Sequence, residues 1–158
     1  LDLSQSIEKS AKKVAKAIYN KHIMIYTDSQ MEAVAIRARQ QFNENAKVLC
    51  THHVIPEMNH NELVGWAGGS SAYASLFLLH DHISKQNLKR FKYSSHIISE
   101  KTDCIESYKV ENDNTIINSL ELLYFVDLLS VEIARIKAID ATEVGVIEGL
   151  KVELKNES

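Results

Sequence analysis

The chain has 158 residues, a formal net charge of −3, 45% hydrophobic and 25% charged residues, the profile of one globular domain with enough chain to bury a core. That charge supplies no basic field for a phosphate backbone, so nucleic acid is not an expected partner. The most lipophilic stretch, 120–134, is broken by Glu121, Asp127 and Glu132, which excludes it as a membrane span.

Two cysteines, Cys50 and Cys104, make no disulfide framework and are expected as reduced, buried thiols. No charged-then-apolar signal segment opens the chain, and a cytoplasmic protein is expected. The chain starts on Leu1 rather than Met, as a piece of a longer protein would. Five glycines and a single proline, Pro56, interrupt it rarely, which favours long helices and short connections.

In residues 8–19, Ala11, Val14, Ala15 and Ile18 fall at helical spacing with lysines between them, predicting an amphipathic helix with one buried stripe. His22 to Thr27 is a short apolar run with strand character, after which Asp28 or Ser29 suits a helix N-cap. The next helix presents Met31, Val34, Ala35, Ala38 and Phe42 on one face. Helix, strand, helix in so short a span is the rhythm of a layered parallel sheet. Lys47 to Val54 is expected as the second strand, Ala74 to Leu79 as the third, and Tyr93 to Ile98 as the fourth, reached through a helix over 84–91. Lys109 to Asn114 is expected as a polar connection. Residues 116–138 form the longest helix; Ile117, Leu120, Leu123, Val126, Leu129, Ile133 and Ile136 nearly encircle it, predicting burial on more than one side by core packing or subunit contact. A last helix from about Val144 carries Ile147, Leu150 and Leu154. There is no internal repeat, low-complexity tract or linker, and the expectation is one α/β domain.

In open α/β sheets the ligand crevice lies beyond the carboxyl ends of the strands. After the first strand, Asp28 places a negative charge where a phosphate would sit, so that turn is a poor phosphate site. After the second strand, His52, His53, Glu57, His60 and Glu62 crowd eleven residues together with Asn59, Asn61 and Pro56. Metal binding is one reading, although this spacing matches no common ligand pattern. Capping of the following helix by Asn59 or Asn61 is a second. The third is acid–base chemistry, with Glu57 partly desolvated between Ile55 and Met58 and so a better proton acceptor. Gly68-Gly69-Ser70-Ser71 has a phosphate loop's composition without its spacing and is expected as a flexible turn. After the third strand, His80-Asp81-His82 occupies the crevice position as either exposed loop or an oriented imidazole pair. The basic pairs Lys12-Lys13 and Lys89-Arg90 are ordinary solvated helix faces.

Phe42-Asn43-Glu44-Asn45-Ala46-Lys47 and Ile55-Pro56-Glu57-Met58-Asn59-His60-Asn61-Glu62-Leu63-Val64-Gly65-Trp66 resemble the signature of the bifunctional phosphoglucose/phosphomannose isomerases, in their second sugar isomerase (SIS) domain. The stretch from Ala138 through Val144 to Lys151 resembles that domain's C-terminal helix, and the likeness runs from about residue 10 to 155. The resemblance implies a three-layer α/β/α domain with a mainly parallel central sheet, spanning 1–158 as the C-terminal half of a two-SIS-domain protein. It also implies interconversion of aldose and ketose 6-phosphates through a cis-enediol, with no metal or organic cofactor. Carried over by position, Glu57 is the catalytic base. His82, with His80 as the alternative, assists ring opening and reaches the neighbouring subunit's site. Lys151 stabilises developing charge, and His80 and Thr142 are substrate contacts. A phosphorylated sugar substrate and a homodimer are implied partners. Two departures stand out: Val144 occupies a position that is polar in the family, and the family's phosphate-binding loop and an active-site arginine belong to the first SIS domain, which would precede Leu1. The isolated chain is therefore expected to fold but not to turn over. The competing reading is a sugar-phosphate-binding SIS module of a regulator.

Overall fold

In a computed structural model, described over residues 2–156, the chain opens with α1 (Leu3–Ile18), β1 (His22–Asp28), α2 (Glu32–Glu44) and β2 (Cys50–Ile55). A 3-10 turn (Glu57–His60), the short α3 (Glu62–Gly65) and a second such turn (Trp66–Gly68) lead to β3 (Tyr73–His80). There follow α4 (Lys85–Ser99), β4 (Ile105–Val110), α5 (Thr115–Ile136) and α6 (Gly145–Asn156). The four strands form one sheet in the order β2-β1-β3-β4, and every pairing is parallel, with Ile25 of β1 beside His52 on one flank and Leu76 on the other.

A parallel sheet must be covered on both faces, and the two-residue alternation of β1 shows how it is done here. Ile23 and Ile25 point into a core built with Ala11, Val14 and Ile18 of α1, Val34, Ala38 and Phe42 of α2, and Leu122, Phe125 and Leu129 of α5. Tyr26 points the other way, into a smaller core with Ile55, Met58, Trp66, Phe77 of β3, and Phe91 and Ile98 of α4. Three layers result, as the resemblance implied. Asp28 caps the turn after β1, its carboxylate accepting from the Gln30 amide, and Asn114 caps α5 by accepting from Ile116 and Ile117. Among the described residues no helix is long and apolar enough to cross a membrane.

Three expectations are corrected. Tyr93 to Ile98 is not a strand: α4 runs on to Ser99, because Phe91, Ser94 and Ile98 recur at helical spacing on its buried side while Tyr93 stands 61% exposed. The fourth strand is Ile105–Val110, which takes in Lys109 and Val110 from the start of the expected polar connection. As an edge strand it is only half buried, so its apolar alternation is weak. The long helix α5 is buried on one side rather than around: Leu122, Phe125, Leu129 and Ile133 are inside, whereas Ile116, Leu120 and Tyr124 remain exposed. Tyr108 of β4 stacks on Phe125, ring centroids 3.8 Å apart and ring planes nearly parallel, and its hydroxyl donates to Glu121.

α6 stands apart. Val146, Ile147, Leu150, Val152 and Leu154 are all exposed, and the helix is fastened at its root instead of along its length. There the Lys47 ammonium donates to the carbonyls of Glu44, Asp140 and Glu143, while Lys137 donates to Ala46 and Lys47.

Candidate active site

The carboxyl ends of β2 and β3 lie on either side of β1, and each releases one of the singled-out turns. β2 ends at Ile55, the Ile55–Pro56 peptide is cis, and Glu57 opens the 3-10 turn. Ile55 and Met58 are fully buried, so they anchor this turn, but they point away from Glu57, which faces solvent. The expected desolvation of Glu57 is therefore absent in this chain. Its carboxylate is oriented by Asn61, whose side-chain amide donates to Oε1 at 3.1 Å, while Asn61 Oδ1 accepts from the Glu62 amide and caps α3. The helix-cap reading of Asn61 thus holds together with an open carboxylate. Asn59 ties the same turn to α4 by donating to Ser94 Oγ at 2.7 Å.

Behind the turn lies a polar network that the sequence did not announce. The Trp66 indole donates to the Tyr26 hydroxyl at 2.8 Å. An indole N–H can only donate, so the Tyr26 oxygen is the acceptor and its own proton goes to Glu62 Oε1. His53 Nδ1 meets Glu62 Oε2 at 3.2 Å, and a carboxylate acceptor requires that nitrogen to carry the proton. Burial, followed by the neighbouring Glu62 charge, raises the Tyr26 pKa and keeps the hydroxyl protonated. Next to His53, burial followed by the Arg39 charge lowers the pKa of His52. Gly69 closes the segment against Trp66, where a Cβ would lie 2.7 Å from the indole ring. Gly69 is thus a packing requirement beside an aromatic ring, whereas a Cβ at Gly68 would meet open space.

At the end of β3, His80 is 1% exposed and its Nε2 lies 3.1 Å from Asp28 Oδ1, itself buried. In this chain His80 is therefore enclosed against Asp28 rather than open to solvent. His82, two residues on, is exposed, with its ring centroid 6.3 Å from that of His80. Asp81 between them is held by Lys109 of β4 at 2.6 Å. Thr142 is exposed and bonds Asp140 through both its amide and hydroxyl, contacts that lower the Asp140 pKa. Through Lys47, this segment is attached just before β2 begins, whereas Glu57 follows where β2 ends. A six-residue strand spans roughly 20 Å at about 3.3 Å per residue, so one chain does not bring Thr142 beside Glu57. Lys151 is exposed on α6. Among the described residues no three His, Cys, Asp or Glu side chains converge as a metal site would need.

The family model described as the bacterial phospho-glucose isomerase C-terminal SIS domain matches residues 7–154. The chain belongs to that family. Among curated proteins it is 29% identical over 153 residues to the bifunctional phosphoglucose/phosphomannose isomerase of Aquifex aeolicus, covering 96% of this chain and 48% of that protein. The enzyme of the same name from Thermoplasma volcanium is 30% identical over 145 residues, covering 90% of this chain and 47% of that protein. A glucose-6-phosphate isomerase like protein from Thermus thermophilus shares the fold with a TM-score of 0.71 at 18% identity, over 89% of this chain and 46% of that one. The C-terminal domain of glucosamine-fructose-6-phosphate aminotransferase from Francisella tularensis shares it with a TM-score of 0.68 at 13% identity, over 89% of this chain and 43% of that one. This SIS chain spans about half the length of the curated relatives it matches.

Proposed function

We propose that the chain is the C-terminal domain of an aldose–ketose isomerase acting between glucose 6-phosphate or mannose 6-phosphate and fructose 6-phosphate. The observation that carries the reading is Glu57: an open carboxylate at the carboxyl edge of the sheet, oriented through one oxygen by Asn61, on a turn fastened to both β1 and α4. Glu57 takes the proton from C2 of the open-chain aldose, the cis-enediol forms as a hydroxyl proton shifts between O1 and O2, and Glu57 returns the proton to C1. His82, exposed where His80 is buried, serves ring opening. Lys151 places a cation near the developing oxyanion, and Thr142 contacts substrate. No step calls for a metal or an organic cofactor.

This assignment needs more than one copy of the fold. Glu57 and the root of α6 lie at opposite ends of the sheet, so Lys151 and Thr142 serve a site built with another lobe or subunit. A preceding SIS domain supplies the phosphate grip, since Asp28 is committed to His80 and to its cap. The exposed Ile116, Leu120 and Tyr124 face of α5 fits a homodimer contact, and the cytoplasm is the expected compartment. General acid–base catalysis is worth about 10²–10⁴-fold, so Glu57→Gln in the whole protein lowers kcat at least about 100-fold; a near-normal rate overturns the assignment. Residues 1–158 alone bind too little of the substrate to position it, and turnover by this chain by itself contradicts the shared site. Val144, at a position that is polar in the family, favours one second reading, a non-catalytic sugar-phosphate sensor. It is distinguished by ligand binding without isomerisation in the whole protein.

A further inference from the structure

The segment from Glu57 to Gly65 has little apolar packing of its own: Met58 is its buried side chain, and the rest are partly or fully exposed. A loop with so few buried contacts opens at low free energy unless polar ties hold it. Here the ties form one continuous path. Trp66 donates to Tyr26, Tyr26 donates to Glu62, and His53 holds the other Glu62 oxygen. The Glu62 amide donates to Asn61 Oδ1, and the other end of the same Asn61 amide group donates to Glu57. Tyr26 is fully buried in β1 and His53 belongs to β2, so Glu62 is pinned to two paired strands of the sheet. A displacement of Glu62 moves Asn61, and Asn61 aims Glu57.

We propose that Glu62, gripped by the Tyr26 hydroxyl and the His53 imidazole, is a positioning residue that sets the placement of Glu57 through Asn61. The role assigned to it in catalysis rests on Glu57 as the general base. Satisfied polar networks at low dielectric rigidify what they hold, and a misplacement of about 1 Å at a reacting group costs on the order of 100-fold.

The test has two arms. In this chain, Tyr26→Phe keeps the ring packed on Phe77, 5.3 Å away, and removes the grip on Glu62. The amides of Asn59, Val64 and Gly65, which bond within the turn, are expected to exchange at least about tenfold faster, with β1 and β3 amides unchanged. Exchange that does not change overturns the clamp, whatever Glu57 does. Glu62→Ala gives the same reading should Tyr26→Phe fail to fold. In the whole protein, Tyr26→Phe and Glu62→Ala are expected to lower kcat about 10- to 100-fold with KM moved less than about threefold. Glu62→Gln, which keeps an acceptor for Tyr26, is expected to stay within about threefold of the parent. A kcat unchanged in Tyr26→Phe and Glu62→Ala, or a Glu62→Gln no better than Glu62→Ala, overturns the positioning role. Glu57→Gln run alongside separates the two ideas: a full rate there refutes the base and with it the catalytic role of Glu62, while faster exchange still establishes the clamp.

Discussion

His80 and Asp28, from the ends of the adjacent parallel strands β3 and β1, share a 3.1 Å contact with both side chains sealed from solvent. Asp28 also accepts from Gln30, so one carboxylate closes β1, starts the turn before α2 and seats the strand from which His82 emerges. Removing one member of a buried polar pair strands the other. Asp28→Ala is expected to destabilise the chain by about 2–3 kcal/mol, read as a lower urea midpoint at unchanged slope. A loss below about 0.5 kcal/mol would show the pair to be idle.

Phe125 joins the long helix to the edge strand. Its ring stacks on Tyr108 and is fully buried, so Phe125→Ala is expected to cost about 3–5 kcal/mol by cavity formation. Tyr108→Phe keeps the stack and loses the bond to Glu121, for about 1 kcal/mol. Equal costs in chemical denaturation would mean that the hydroxyl, rather than the stack, joins β4 to α5.

Cys50 is 7% exposed. Burial pushes its thiol up to about 12, against a smaller opposing influence of Arg39. Since the thiolate is the nucleophile, iodoacetamide at about pH 8 is expected to leave Cys50 unmodified in the folded chain and to label it readily in urea, as mass spectrometry of the peptide containing it would show. Rapid labelling of the native chain would contradict the closed packing of β2 on α2.

The apolar face of α6 has nothing over it among the described residues, so changing it should matter only where a partner is present. Leu150, 58% exposed, is expected to tolerate replacement by Asp within about 0.5 kcal/mol in this chain. In the whole protein the same substitution is expected to reduce activity or assembly. A large loss of stability in the chain alone would mean that α6 packs on its own domain.

Much of this was legible in advance because it depends on short-range pattern. The stripe of Ala11, Val14, Ala15 and Ile18 marked α1, and Val34, Ala35, Ala38 and Phe42 marked α2, since a helix that must bury one face repeats its apolar residues at the helical period. The two central strands, β1 and β3, announced themselves as apolar runs because a parallel sheet is covered on both faces. β4 did not, because an edge strand is half exposed and its sequence looks like connection. Tyr93 to Ile98 misled because its aromatic and β-branched residues favour strands, and the seating of Phe91 and Ile98 on the sheet as one helical face overrides that preference.

Within the candidate site, the sequence by itself determined which residues stand together on one turn, Glu57 through Glu62, and which family that turn belongs to. It also placed His82 in the loop after a strand. Tertiary structure decided which side chains face in and which face out: Met58 and His80 inward, Glu57 and His82 outward. It alone joined Glu62 to Tyr26 and His53, 36 and 9 residues away in the chain, and set the root of α6 at the opposite end of the sheet from Glu57. The reason is physical. Periodicity and capping act over a few residues, whereas burial and hydrogen-bond partners across strands exist only once the sheet has brought distant segments within a few ångströms of one another.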